Sequence, residues 1–278
     1  MIASYLRVPK SPAAVVASGL VIATMVLIAI FGPWIAPHDP FELNHMAVNQ
    51  SGSATYLLGT DEFGRDILSR LLYGIRPTIV VAIGATTLAG VLGCAMGIIG
   101  GYGRRGIATP IMRFVDILLC FPPILFALLA VGFWQSGMTS LMVVIGVIYA
   151  PQFARIAQSA TLQIAQLEYI QAEQIMGAGL MRIVFRGILP NIAPVLVVQA
   201  TLTFAESILL ESGLSYLGLG IVPPEPSWGQ MIGTAQKYLA QNPMALFWPA
   251  LFLALTVLSV NIVGDYLRDR FDPRLRRD

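Results

Sequence analysis

Two acidic residues, Glu206 and Glu211, stand within an otherwise apolar run from Ile192 to about Gly213. An ionised side chain at the centre of a bilayer costs about 2.5–3.5 kcal/mol on insertion scales. Such a group faces other protein or a wet cavity, which makes both residues candidates for a transport path; for Glu206 a neutral, hydrogen-bonded packing role is the alternative. The two are five positions apart, about 140° around a helix, so they share no face and are not the paired carboxylates expected of many ion-coupled carriers. Other chemistry-bearing residues are sparse. His38 and His45 lie together in a polar segment without the Cys, Ser or carboxylate arrangement of a hydrolase, and read as surface residues and not as metal ligands. Cys94 and Cys120 sit in apolar runs far apart and read as packing residues. No G-x-x-x-x-G-K-[ST] loop occurs, and neither lysine, Lys10 or Lys237, follows a glycine, so the chain cannot cradle ATP phosphates by that route. No catalytic residue, metal site or bound cofactor is expected.

The elements that must carry these residues are membrane spans. Of 278 residues 56% are apolar and 12% charged, about half the charged share of a soluble domain, and several runs reach the roughly 20 apolar residues that a spanning helix needs. The expected architecture is all-α, with six transmembrane helices at about 13–35, 78–101, 111–134, 138–156, 192–213 and 245–263. The first run is too long for a signal-peptide core, and no clear small-x-small cleavage site follows it. Residues 1–77 read as an amino-terminal region with the first span and a polar segment, and 78–278 as a core. Gly93 and Gly97 form a G-x-x-x-G in the second span, a signal for close helix packing. Pro122 and Pro123 predict a kink or break in the third. Before the second span, Asp61, Gly64, Arg65 and Asp66 belong to a charged patch that reads as structural pairs and interface anchors, followed by an amphipathic stretch from Asp66 to Leu72. Pro226 and Ser227 mark the start of a surface helix between the last two spans.

The polar interruption from Gln163 to Asn191 is no simple connector. Apolar residues recur at helical spacing (Leu167, Ile170, Ile175 and Met176, then Met181, Val184, Phe185, Ile188), predicting two short helices with Gly177 and Gly179 in a turn between them. Pro190 stops the second helix or tilts it into the next span. A structured loop of this kind docks onto something. Six spans place both termini on one side. Only Arg65, Arg70, Arg76 and Lys237 of the 17 lysines and arginines fall on the opposite face, so the positive-inside rule makes both ends and the 163–191 loop cytoplasmic. A membrane body with no nucleotide site and a cytoplasmic docking loop implies that chemical energy comes from a partner.

The segment Tyr169-Ile170-Gln171-Ala172-Glu173-Gln174-Ile175-Met176-Gly177-Ala178, with Ile188-Leu189-Pro190-Asn191 after it, resembles the E-A-A…G…I-x-L-P signature of permease subunits of ATP-binding-cassette importers. Further stretches are similar to the C-type subunit of the dipeptide/oligopeptide/nickel branch. These are Leu58-Gly59-Thr60-Asp61 with Gly64-Arg65-Asp66, Leu214 to Gly220, Pro226-Ser227-Trp228-Gly229, Gly264 to Asp269, and Asp272-Pro273-Arg274. The first glutamate of the signature is Gln171 here and its second alanine is Glu173, a carboxylate moved by about 200° around a helix. The resemblance implies a type I importer fold in a bacterial inner membrane and a heterodimer with a homologous permease subunit. It also implies two ATPase subunits, which bind ATP and Mg, and an external substrate-binding protein. Tyr169, Ile170, Gln171, Ala172, Glu173, Gly177, Ala178, Leu189 and Pro190 would form the coupling loop. Peptides are the first expectation for substrate, with nickel, glycosidic or opine-like solutes open. The rival reading is an ion-coupled secondary transporter; its mark would be matching broken helices in paired repeats, and only the third span has an evident break.

Overall fold

The computed structural model describes residues 12–134 and 136–271. Arg7 and Lys10 of the basic amino end, Gln135 and the Asp272-Pro273-Arg274 part of the tail lie outside the described residues. Ten α-helices follow in order: α1 (Pro12–Ile35), α2 (Ile67–Tyr102), α3 (Arg105–Leu119), α4 (Pro123–Phe133), α5 (Met138–Ile164), α6 (Glu168–Ile175), α7 (Leu180–Arg182), α8 (Leu189–Tyr216), α9 (Trp228–Ala235) and α10 (Met244–Phe271). Five stretches are long and apolar enough to cross a membrane, with α7 and α8 taken together, and six when α3 and α4 count as one.

The helices outrun the apolar runs that announce them. The amphipathic stretch after Asp66 is the beginning of α2, a single helix of 36 residues. At 1.5 Å per residue this helix is about 54 Å long, far more than the roughly 30 Å of a hydrocarbon core. Similarly, α5 runs to Ile164 and α10 to Phe271. The third span is broken as Pro122 and Pro123 predict: α3 and α4 meet at 95°. At about 22 Å and 16 Å, neither half is long enough to cross the core alone.

The chain divides into two compact units, Met1–Val80 with Glu211–Asp278, and Val81–Leu210. In the first, α1 and α9 both pack on α10. Ile67, Leu71 and Ile75, one face of the first turns of α2, bury themselves with Met25, Trp228, Met231, Ala235 and Ala245. Trp228 fills this core and donates its indole N–H to Leu71 O at 3.1 Å. Ser227 caps α9 as its sequence position predicts, accepting from Gln230 N at 3.3 Å. In the second unit, the G-x-x-x-G of α2 packs on α5: a Cβ at Gly93 would lie 2.3 Å from Ala150 O, and one at Gly97 2.5 Å from Ala154 O. Only a hydrogen fits at either position, so the glycines permit the close approach of the two backbones.

Candidate functional site

The 163–191 loop is built around one buried side chain. α6 projects Ile170 inward, fully buried among Ala157, Ile183, Ile188 and Ile192. Gly187 admits it, since a Cβ there would meet Ile170 Cδ1 at 2.5 Å. Ile170 is therefore an anchor within this chain and offers no surface to a partner, unlike several other apolar residues of the same loop. Ile175 and Met176 are 87% and 77% exposed, and Leu180, Met181 and Phe185 are exposed with them. Tyr169 is exposed and its hydroxyl accepts from Asn191 Nδ2 at 3.1 Å, tying α6 to the start of α8. Ala172 and Pro190 are also exposed, while Ala178 and Leu189 pack around the Ile170 cluster.

Two backbone devices hold the loop. Beyond α6, Gly177 takes φ +78. Gly177 N donates to Gln174 O at 3.0 Å and Ala178 N to Glu173 O at 2.9 Å, the paired bonds of a Schellman stop. Beyond α7 the chain does not stop at Pro190. It widens into a π turn over Ile183–Ile188, with Leu189 N bonded to Val184 O, and then continues as α8. A proline ring collides with the carbonyl four residues back in an α-helix, here that of Arg186, and a wider turn relieves that collision. Of the two outcomes expected at Pro190, a stop or a tilt into the next span, the chain takes the continuous path into the span.

The exchanged pair of the signature falls on different sides of α6. Gln171 is exposed and donates from Nε2 to Gln166 O at 3.1 Å. Glu173 turns toward Gly187, and its Oε2 is buried without a hydrogen-bond partner.

The charged patch of the polar segment is a closed knot. Asp61 Oδ1 accepts from Phe63 N and Arg65 N, both at 2.9 Å, while Oδ2 takes Arg65 Nε at 2.7 Å and lies 3.4 Å from Arg70 Nε. Asp66 caps α2 through Ser69 N at 2.9 Å. Gly64, at φ +74, has Asn44 O only 1.8 Å from where a Cβ would stand. The neighbouring Glu62 carboxyl is held above its ordinary range by burial, and next by the charge of Asp61. Asp61 and Arg65 are engaged with each other and with their neighbours inside the knot. Among the described residues, no group of three or more His, Cys, Asp or Glu is placed to hold a metal.

The two carboxylates of α8 have different surroundings. Glu211 is fully buried, accepting from Ser215 Oγ at 2.7 Å and Ser212 Oγ at 3.3 Å. A side chain with no exposed surface does not line an open path, so its expected place there gives way to one among hydroxyls. Glu206 is exposed. Around it stand polar residues that the sequence reading missed: Gln152 and Tyr149 on α5, and Gln199 and Thr203 on α8. Their signal was the recurrence of polar types at 199, 203 and 206, one helical face of an apolar run. Arg155 lies within α5 and pairs with Asp116 of α3.

Residues 89–277 match the family described as binding-protein-dependent transport system inner membrane component, and residues 7–51 match the N-terminal TM domain of oligopeptide transport permease C. The di/tripeptide transport system permease protein DppC of Pseudomonas aeruginosa (strain UCBPP-PA14) is 36% identical over 258 residues, 91% of this chain and 85% of that one. The dipeptide transport system permease protein DppC of Alkalihalophilus pseudofirmus is 36% identical over 274 residues, 98% and 90% of the two chains. Among solved structures, the inward-facing MetNI methionine ABC transporter has a chain of the same fold. Its TM-score is 0.61 at 22% identity, covering 73% of this chain and 97% of that one.

Proposed function

The chain belongs to the family of binding-protein-dependent transport system inner membrane components, and from that premise we propose that it forms half of the transmembrane pathway of an ATP-driven peptide importer. Its fold is that of a type I importer membrane subunit, a multi-pass transporter component. The observation that carries the reading is the 163–191 loop. Its inner side is locked by Ile170, while its outer side leaves Ile175, Met176, Leu180, Met181 and Phe185 in the open. Exposed apolar side chains on a loop anchored from within are the mark of a docking surface. Its occupant is a groove of an ATPase subunit, which supplies the ATP and Mg chemistry absent from this chain. Closure of two such ATPases on ATP would carry the loop as a rigid body and reorient the spans between inward- and outward-facing states. A homologous permease subunit completes the pathway as a heterodimer in the bacterial inner membrane, with both termini and the loop cytoplasmic. An external binding protein delivers the substrate. Peptide is the substrate class carried by the names of the relatives, and the chain's own residues leave the length of the peptide open.

Affinity purification of the tagged chain from its native membrane tests the assembly. ATPase subunits and a second permease should come down with it, and liposomes holding that complex should take up peptide only with ATP and the binding protein. Recovery of the chain alone, with uptake driven by an ion gradient, would overturn the reading in favour of a secondary transporter.

A further inference from the structure

A polar cluster interrupts the apolar packing of α5 and α8 within Val81–Leu210. Gln199 is 7% exposed, and its Nε2 donates to Gln152 Oε1 at 3.2 Å and to Thr203 Oγ1 at 3.1 Å. With its carbonyl oxygen engaged by Gln199, Gln152 keeps its amide hydrogens free and stands beside the Glu206 carboxylate. The Tyr149 hydroxyl reaches the main-chain oxygen of Glu206 at 3.4 Å. A partly buried polar group of α5 thus backs one exposed carboxylate. That carboxylate has no cationic side chain within ion-pair distance among the described residues. An ionisable group in a span faces protein or water and not lipid. Gln152 has a second role: with Leu118, Phe121, Phe126, Val147 and Ile148 it lines a cleft beside the break between α3 and α4. An oriented anion and an apolar cleft therefore share one amide.

We propose that this cluster is a transit subsite for a peptide, with the peptide's α-ammonium on the Glu206 carboxylate and an apolar side chain in the Phe121–Phe126 cleft. The inference rests on the reading of the chain as a peptide importer permease. An ammonium offers three donors and a full charge, and its hydrogen bonds to a carboxylate are of the strong, charge-assisted kind. Gln152 and Gln199 position that acceptor and do not themselves need to touch the peptide.

The test uses the assembled importer in membrane vesicles. The chain carries Cys94→Ala, Cys120→Ala and a reporter Leu119→Cys at the rim of the cleft, and the thiol is labelled with a methanethiosulfonate reagent. Trialanine and N-acetyl-trialanine are compared as protectants. At about ten times its dissociation constant trialanine should slow labelling about tenfold, by mass action. N-acetyl-trialanine should leave the rate unchanged, and a further Glu206→Gln substitution should abolish the protection. Equal protection by both peptides, protection that survives Glu206→Gln, or a thiol that never labels would each overturn the subsite. Labelling indifferent to trialanine would do so as well, leaving the carboxylate to a lipid amine or a basic side chain of the second permease. Trialanine uptake is measured in the same vesicles. Uptake without protection overturns the subsite alone, whereas absent uptake by a complex whose ATPases turn over overturns the peptide reading and the subsite with it.

Discussion

Gly177 allows backbone conformation and side-chain bulk to be separated at the proposed docking loop. It sits at φ +78, and a Cβ built there would meet nothing within 4 Å. Alanine at this position therefore causes no collision; its whole cost is the left-handed backbone, about 1–2 kcal/mol. Asparagine brings more bulk but tolerates this region better. Ile170 holds α6 in the core independently of the turn, so the strain can be released by opening the turn while the fold survives. If docking on the ATPase needs the turn closed, the released strain returns as lost affinity. Gly177→Ala should then weaken the complex about 5- to 30-fold, and Gly177→Asn should weaken it less. The assay is titration of purified ATPase subunits onto the permease in nanodiscs, with the melting midpoint as a control for folding. Equal losses for the two variants would trace the effect to bulk at the interface. Unchanged affinity with both would remove the Gly177 turn from docking altogether.

Ile170→Ala should cost about 2–5 kcal/mol, as truncation of a buried aliphatic side chain does, and should expose the loop to limited proteolysis. Ile175→Ala, at an exposed position of the same helix, should leave proteolysis unchanged yet reduce the ATPase recovered by affinity purification. A proteolysis pattern shared by the two would refute the division into an anchor and a contact. In the Asp61–Arg65 knot, Gly64→Ala forces a Cβ onto Asn44 O and should make the 36–66 segment sensitive to added protease. A segment that stays resistant would show that the knot can re-form around a side chain.

Where local chemistry decides a feature, the sequence is legible. Ser227 has a hydroxyl at a helix start, Gly177 a backbone free to turn left-handed, and Pro122–Pro123 a missing donor in mid-span; the cap, the stop and the break are all present. Hydropathy sees only the part of a helix that lipid must cover. The first turns of α2 and the last turns of α5 and α10 were therefore invisible to it, although each belongs to the same helix as the span it adjoins. Pro190 leaves a stop and a passage into the span both open in the sequence; the π turn before it relieves its ring and lets the helix pass on. Periodicity places Ile170 and Ile175 in one apolar pattern, but which of them meets the chain's own core depends on Ala157, Ile183 and Gly187, contacts made only in the tertiary structure. The same holds for Gln152 and Gln199. Each is an ordinary glutamine in sequence, and becomes a buttress only when α5 and α8 bring the two amides to 3.2 Å.

The π turn has a mechanical consequence. From Leu180 to Tyr216 the backbone is 37 residues of continuous helix, roughly 55 Å along its axis, with the π turn, Pro190 and Pro194 within it. On its other side the loop joins α5 through the non-helical turn at 165–167 and ends α6 at a glycine. One end of the loop is therefore continuous helix and the other is not. If the loop docks as proposed, a push at Phe185 would pass up α8 toward Gln199 and Glu206, with the non-helical turn as the only chain link to α5. The loop would then act as a one-sided lever with the buried side chain of Ile170 as its fulcrum.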